Sequence, residues 1–442
     1  MTTIGQTPVV PQEWFRKYEG LGAWEGKGKV VAVGVGHSPT ARRWDGAPET
    51  SIGALAIDSL RRAAEDAGVP LDQVDGLVMD PTTTTGAYWP EDRPIPEDFL
   101  AAFKPGLNRM DGINSLSTEW ILNNFPELSN VQFTMYASTC MSQAICVAAE
   151  AVSRGLTKNC LVLKAWDNLE GRYGQGGAAA QDTVSGRDVA SLWGAVGPYY
   201  PAYWFNQYLH KYGGSHDMMA PFVVNSKRNG LLFPEGFWYQ NRPEPLSVED
   251  YLAARWIIQP VNLYDCDIPI MSSAAYLFTT PERAKDMKQK PVYIMSHTQA
   301  NTKHRGVEQT LEECEESATR IAHILYEGAG ITSSDLSFEN MYDGYTLFHH
   351  LMMEGLKYRG VQRGEGLDFY QTDISIEGPN PVSPSGGNAG SGRTRFWMHT
   401  DCIQQIQGRA GARQIKIPAE VGVSGGPHPR GGDFMTWGAS VD

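Results

Sequence analysis

At 442 residues, with 41% hydrophobic and 20% charged side chains, the chain is long and apolar enough for one large globular subunit of two or three core-bearing units. It is too apolar and too aromatic to be disordered. The 37 Lys and Arg against 50 Asp and Glu, a net charge of −13, argue against a nucleic-acid partner and leave room only for a local basic patch toward an anionic ligand.

Lys29–Val35 is a short β-branched run that reads as a buried strand, and its GVG lacks the third glycine of a dinucleotide fingerprint. Ser51 caps an amphipathic helix whose apolar positions are Ile52, Leu55, Leu60 and Ala64; it ends at Ala67-Gly68. Strands are expected at Val74–Met79, Val131–Tyr136 and Cys160–Trp166, with a helix from about Cys140 to Arg154 closed by Gly155. Residues 168–250 are rich in Gly, Pro and aromatics and poor in long periodic segments, as expected of a segment that covers a site or builds a subunit contact. Trp193, Tyr199, Tyr200, Tyr203, Trp204 and Phe205 suit a bulky pocket or interface packing equally well. Farther on, Leu311–Tyr326 is helical and ends at Ala329-Gly330, ahead of a strand within 334–343.

The six cysteines (Cys140, Cys146, Cys160, Cys266, Cys314, Cys402) form no CxxC and no closely spaced set, so they read as reduced thiols of a cytosolic core. None of the ten histidines falls in a metal-binding pair, so no metal is implied; His297 reads as a satisfied core residue. The first thirty residues carry no apolar signal region, and no stretch approaches the ~18 apolar residues of a membrane span. The expectation is a soluble, cytoplasmic protein.

The second half repeats the first. Both contain a helix ending in Ala-Gly, an apolar residue, a short polar turn and a strand. SRGLTKNCLVLKA (153–165) also resembles QGRAGARQIKIPA (407–419), a helix end feeding a strand. Tandem duplication is the economical explanation. It predicts an α/β protein of two similar halves, 1–288 (with the cover insertion at about 168–250) and 289–442.

This layout resembles the thiolase superfamily, in the branch related to the sterol-carrier thiolases. The likeness rests on residues 247–287, on ENMYDGYT (339–346) and on PVSPSGGNAGSGRT (381–394). It implies the thiolase fold: two βαβαβαββ-type halves in α/β/α/β/α layers, with a long loop insertion in the first half. The family's nucleophilic cysteine, counted back seventeen residues from Gly155, falls on Ser138; Thr139 and Cys140 follow. Its GHP histidine falls on Arg393, the residue opening its third loop on Tyr342, and its second cysteine near Val423. All four are changed.

Claisen chemistry needs a thiolate, a base and a second thiol, so an ordinary thiolase is not expected. The resemblance is closest to the steroid side-chain-cleaving aldolases of this superfamily, which lack the cysteine and carry Tyr-Asp where this chain has Tyr342-Asp343. A retro-aldol step needs a base for the β-hydroxyl and donors for the thioester enolate. Tyr342 is the expected base or relay, and a nearby cation would bring its pKa down from 10. Arg393, which the family geometry places on the facing loop, is expected to depress that pKa or to hold the enolate oxygen, or else to form a salt bridge to Asp343 or a contact to a CoA phosphate. Asp343 orients Tyr342 or caps the helix near Tyr345, and Tyr345 itself is a packing or site residue. Gly386, Gly387, Gly390 and Gly392 let the loop backbone approach substrate or simply make its turns. Asn388 is a candidate oxyanion donor, and His428 an outside catalytic candidate. Ser138, Thr139 and Cys140 line the free amides of a helix N-terminus able to hold an anion.

The resemblance further implies coenzyme A as part of the substrate and a homodimer within a heterotetramer. The partner it implies is a small OB-fold, zinc-ribbon DUF35 protein, with zinc in that subunit alone. Two other readings stand beside the lyase: an acyltransferase or thiolase using Cys140, and a non-catalytic acyl-CoA or lipid binder.

Overall fold

In the computed structural model, residues 22–81, 89–90, 92–137, 140–168, 199–301, 310–428 and 431–441 are described. Eleven strands are present among them: β1 (Val31–His37), β2 (Gly76–Asp80), β3 (Phe133–Tyr136), β4 (Asn159–Trp166), β5 (Trp256–Ile258), β6 (Val261–Asn262), β7 (Ser272–Thr279), β8 (Val292–Asn301), β9 (Phe338–Met341), β10 (Val421–His428) and β11 (Gly431–Gly438). Nine of these form one sheet in the order β3-β2-β4-β7-β1-β8-β11-β10-β9, while β5 and β6 pair separately.

The duplication is visible in this order. The first half runs β2-β4-β7-β1 and the second β9-β10-β11-β8, with the first pair parallel and the next two pairs antiparallel in each. The first half adds a parallel edge strand, β3, beside β2. In the second half the corresponding place beside β9 holds a single parallel bridge, Glu339 to Val382. The halves join edge to edge through β1 and β8, at Val31–Tyr293 and Ala32–Val292.

Helices build the remaining layers. Ile52–Ala67, capped by the Ser51 hydroxyl and closed by Gly68 in the left-handed region, packs on one face of the first half. Leu311–Ala329, with a Thr310–Glu313 capping box, does the same for the second. Helices Met141–Ser153 and Trp397–Gln407 lie between the two half-sheets; the former touches β2 and β4 of one half and β8 and β11 of the other. The α/β/α/β/α layering expected of the thiolase fold is thus present.

Two expectations are corrected. The counterpart of β4 is not QIKIPA but Val421–His428, since Gly408 is followed by a single turn and an irregular stretch through Pro418. Proline lacks the N–H that a ladder needs, and Ile415 is buried in the central core from outside the sheet. The cover is also more regular than its composition suggests, with helices at Tyr199–Tyr212, Ala220–Gly230, Phe237–Asn241 and Val248–Leu252. Trp204 and Phe205 are buried against Phe348 and His350 and so belong to the core, whereas Tyr203 is exposed. Trp193 lies outside the described residues, as do the side chains of Tyr199 and Tyr200.

Candidate active site

Tyr342 follows β9 directly, and its backbone N–H donates to the Gly425 carbonyl of β10 (3.0 Å). A Cβ at Gly426 would meet the Tyr342 side chain, so glycine there lets the tyrosine lie flat on the strand. The phenol oxygen folds over Gly344, and a Cβ at Gly344 would also stand 2.7 Å from Asp267 Oδ2. Tyr342 and Asp267 therefore share one small volume.

The stretch from Cys266 to Pro269 holds two site loops together. Cys266 bridges Tyr345, the Asp267 N–H donates to the Gly344 carbonyl (3.0 Å), and Arg393 donates its N–H to the Ile268 carbonyl (2.8 Å). Asp267 thus sits between the Tyr342 loop and the Arg393 loop. Its neighbour Asp265 anchors the stretch, accepting from Thr346 (2.6 Å) and Tyr251 (2.8 Å) and lying 2.7 Å from His216.

Asp343 does not cap the helix that follows it. Fully buried, it accepts from the Asn388 N–H (2.6 Å) and the Ala389 N–H (3.3 Å), capping the short helix Gly387–Ser391 of the other loop. These amides, and not Arg393, take its two oxygens. Burial pushes its carboxyl up to about 7, against the smaller lowering by the Asn388 N–H. Beneath the same loop, Glu339 accepts from the Met341 and Ser383 N–H groups (2.8 Å each) and lies 3.2 Å from His349, which in turn reaches Tyr370 (2.7 Å). His349 is thereby tied into the buried network beneath the loop.

The loop glycines approach protein, not an open cleft. Gly386 and Gly390 let the helix Ala220–Gly230 close onto the loop, and Gly387 leaves room for Asp343. Gly392 stands at φ 109°, against Ile270. Asn388 accepts from the Thr394 (3.3 Å) and Arg395 (3.0 Å) N–H groups, and its buried Nδ2 has no partner among the described residues.

Three cations surround Trp166 at the end of β4. Lys164 Nζ is 4.2 Å from its ring, the Arg393 guanidinium carbon 5.8 Å and that of Arg395 5.4 Å. The Trp166 indole N–H donates to the Thr394 carbonyl, which pins the loop between the two arginines. Lys164 is fully buried and pairs with Asp80 at 2.9 Å. Arg395 also lies 5.6 Å from the Tyr342 ring. The expected lowering of the Tyr342 pKa is not found: burial raises it, with Arg395 the larger and Arg393 the smaller opposing influence. Tyr342 is a neutral phenol at rest. Tyr345 is likewise raised by burial, and it packs against Phe348.

Cys140 is the N-cap of the central helix, 1% exposed, with its thiol donating to the Gly426 carbonyl (3.7 Å). His399, lowered to about 3 by burial and so neutral, bridges Ser142 (3.0 Å) to Ser424 (2.8 Å), tying that helix start to β10. Ser138, Thr139 and the His428 side chain lie outside the described residues. Sequence reasoning missed Asp267 and Arg395. The first falls inside the 247–287 segment that carries the family likeness, and the second stands two residues past the position compared with the family histidine.

Residues 299–436 match the family profile described as thiolase C-terminal domain-like. A steroid side-chain-cleaving aldolase of Thermomonospora curvata is 24% identical over 347 residues, 76% of this chain and 80% of that protein. The 17-hydroxy-3-oxo-4-pregnene-20-carboxyl-CoA lyase of Mycobacterium tuberculosis is 25% identical over 233 residues, 49% of this chain and 58% of that one. Among solved structures, an Ltp2-ChsH2(DUF35) aldolase superposes with a TM-score of 0.72 at 19% identity, over 93% of this chain and 98% of that chain. This chain has the thiolase fold, and its second half carries a thiolase C-terminal domain-like unit.

Proposed function

We propose that the protein is a carbon–carbon lyase that cleaves a β-hydroxyacyl-CoA by a retro-aldol step. It releases an aldehyde or ketone and a shortened acyl-CoA. The observation that carries this reading is the neutral Tyr342 phenol set beside the Asp267 carboxylate, at the place where the resemblance puts the opening residue of the third thiolase loop. A phenol in this setting works as a relay. The substrate β-hydroxyl passes its proton to the Tyr342 oxygen while the phenol proton moves to Asp267, so no free phenolate is needed. The β-oxygen becomes a carbonyl, the Cα–Cβ pair moves into the thioester as an enolate, and the proton returns to Cα by the same relay.

Support comes from the two relatives named as an aldolase and a CoA lyase and from the aldolase superposition. Their names suggest a bulky, steroid-like acyl group here. The DUF35 component in the name of the superposed protein supports a DUF35-type partner for this chain. Zinc in that partner, a homodimer of this chain within a heterotetramer and a cytoplasmic setting are added to the proposal from the family resemblance alone. No helix of the described residues is long and apolar enough to cross a membrane. The Cys140 reading loses ground because its sulfur is buried and engaged with a backbone carbonyl.

The test is mass spectrometry of products from a panel of β-hydroxyacyl-CoAs, with the co-purified partner present and no free CoA. A carbonyl product plus a shortened acyl-CoA is expected. Turnover only with free CoA and a β-ketoacyl substrate, abolished by Cys140→Ser, returns the role to the cysteine.

A further inference from the structure

We propose that Arg395, rather than Arg393, holds the oxygen on which negative charge develops when the Cα–Cβ bond breaks. This assignment rests on the lyase reading and adds to it the group that stabilises the enolate. Three observations point to this residue.

Its backbone is in the wrong place for an arginine. Arg395 stands at φ 62°, in the left-handed region that costs a non-glycine residue about 1 kcal/mol. Asn388 enforces that geometry by accepting from the Thr394 and Arg395 N–H groups together, and Trp166 fixes the intervening carbonyl. Glycine would sit there without strain, so the arginine side chain is carried at that cost.

The second observation is position. The guanidinium lies near two aromatic rings at once, 5.4 Å from Trp166 and 5.6 Å from Tyr342. It thus stands over the ring of the proposed relay, within reach of a group bound against Tyr342.

The third is charge. Among the described residues no carboxylate lies within ion-pair distance of Arg395, and its Nε is buried without a hydrogen-bond partner. Lys164, on the same indole, is neutralised by Asp80 at 2.9 Å. A half-buried guanidinium whose Nε–H is unsatisfied is stabilised by an arriving anion, and a preorganised donor of this kind favours the charged state over the neutral thioester. In the step itself the thioester carbonyl oxygen takes up the electron pair released from Cα–Cβ and accepts hydrogen bonds from the Arg395 N–H groups. When Cα is reprotonated the charge leaves that oxygen, and Arg395 is unchanged.

Two readouts on Arg395→Gly and Arg393→Ala test this. Glycine relieves the left-handed strain, so Arg395→Gly is expected to melt at or above the wild-type temperature. Its kcat for β-hydroxyacyl-CoA cleavage is expected to fall by about 10²–10³-fold, the usual loss for one oxyanion donor, with partial recovery on adding guanidinium. A kcat within threefold of wild type overturns the assignment. The second readout needs no turnover: acetoacetyl-CoA forms an enolate with a near-ultraviolet absorbance, and wild type and Arg393→Ala are expected to raise it where Arg395→Gly does not. An enolate signal in wild type without cleavage of any β-hydroxyacyl-CoA would sink the lyase reading and leave Arg395 standing. An equal signal in Arg395→Gly, or none in wild type, removes Arg395 whatever the cleavage assay gives.

Discussion

Two neighbouring residues, Tyr342 and Asp343, are displaced in the same direction by burial and serve different ends. Tyr342 is kept protonated by its surroundings, which suits a relay that must hold a proton to give. Tyr342→Phe deletes the oxygen and little else, so kcat should drop by about 10²-fold or more with KM nearly unchanged, as general acid–base groups usually contribute. Asp343 keeps the second loop in place through two amide hydrogen bonds. Its folded-state pKa of about 7 lies above the ordinary 3.8, so the folded protein binds the extra proton between those values. Stability from this group is therefore fully present below about pH 4 and declines as the pH rises to about 7, by up to about 4 kcal/mol. Asp343→Asn retains an acceptor oxygen and removes the titration. Denaturant unfolding between pH 4.5 and 8 should show a flatter profile in the variant, and parallel profiles would disprove the assignment.

At the scale of elements, one loop of the site is packed against one cover helix. Gly230 of the helix Ala220–Gly230 lies against the Gly390 backbone, and Gly390 against the Ser226 carbonyl. A methyl at either glycine pushes backbone from backbone, which no rotamer change can relieve. Gly230→Ala should cost about 1–3 kcal/mol, the range for overpacking, and should lower turnover by moving the Asn388–Arg395 loop. Thermal melting and kcat measured on one preparation check both, and an unshifted Tm would mean that the helix is free to move. Contacts of this kind explain what could be read in advance. The helix over Ile52–Ala67 was legible because its cap, apolar spacing and terminal glycine are local signals. Tyr342 and Arg393 were legible because a family likeness marks their loops. Asp267 was not, since it reaches Tyr342 only through the bridges from Cys266 to Tyr345 and from Pro269 to Arg393, which join three distant stretches. Arg395 was hidden because a left-handed backbone leaves no trace in residue type when the residue is arginine. The start of β10 was misread because QIKIPA has a strand's composition but carries Pro418 ahead of the true ladder.

For the whole molecule, the nine-stranded sheet ends very differently at its two sides. On the second half, β9 is flanked by Val382 and its loop, and its residues are buried. On the first half, β3 has β2 on one side and no strand on the other among the described residues, and Met135 and Tyr136 are 46% and 45% exposed. Beside them an open depression of about 710 Å³ is lined by Phe133, Met135, Val147 and the exposed Leu156, with Glu150, Arg154 and Asp433 also on its wall. An open edge with apolar side chains invites another strand, and folded proteins either blunt such an edge with charge or cover it. No charge stands within Phe133–Tyr136 (FTMY), so covering is the solution that fits. Two copies meeting antiparallel at β3 would continue the sheet and bury Met135 and its neighbours across a twofold axis, the commonest symmetry of oligomers. Met135→Lys places a charge at the centre of that strand without touching the Tyr342 loops. Sedimentation velocity should find wild type as a dimer and the variant shifted to monomer, with its melting temperature dependent on concentration in the first and independent in the second. A wild type that sediments as a monomer, or a Met135→Lys variant that sediments as a dimer like wild type, would show that copies do not pair through β3.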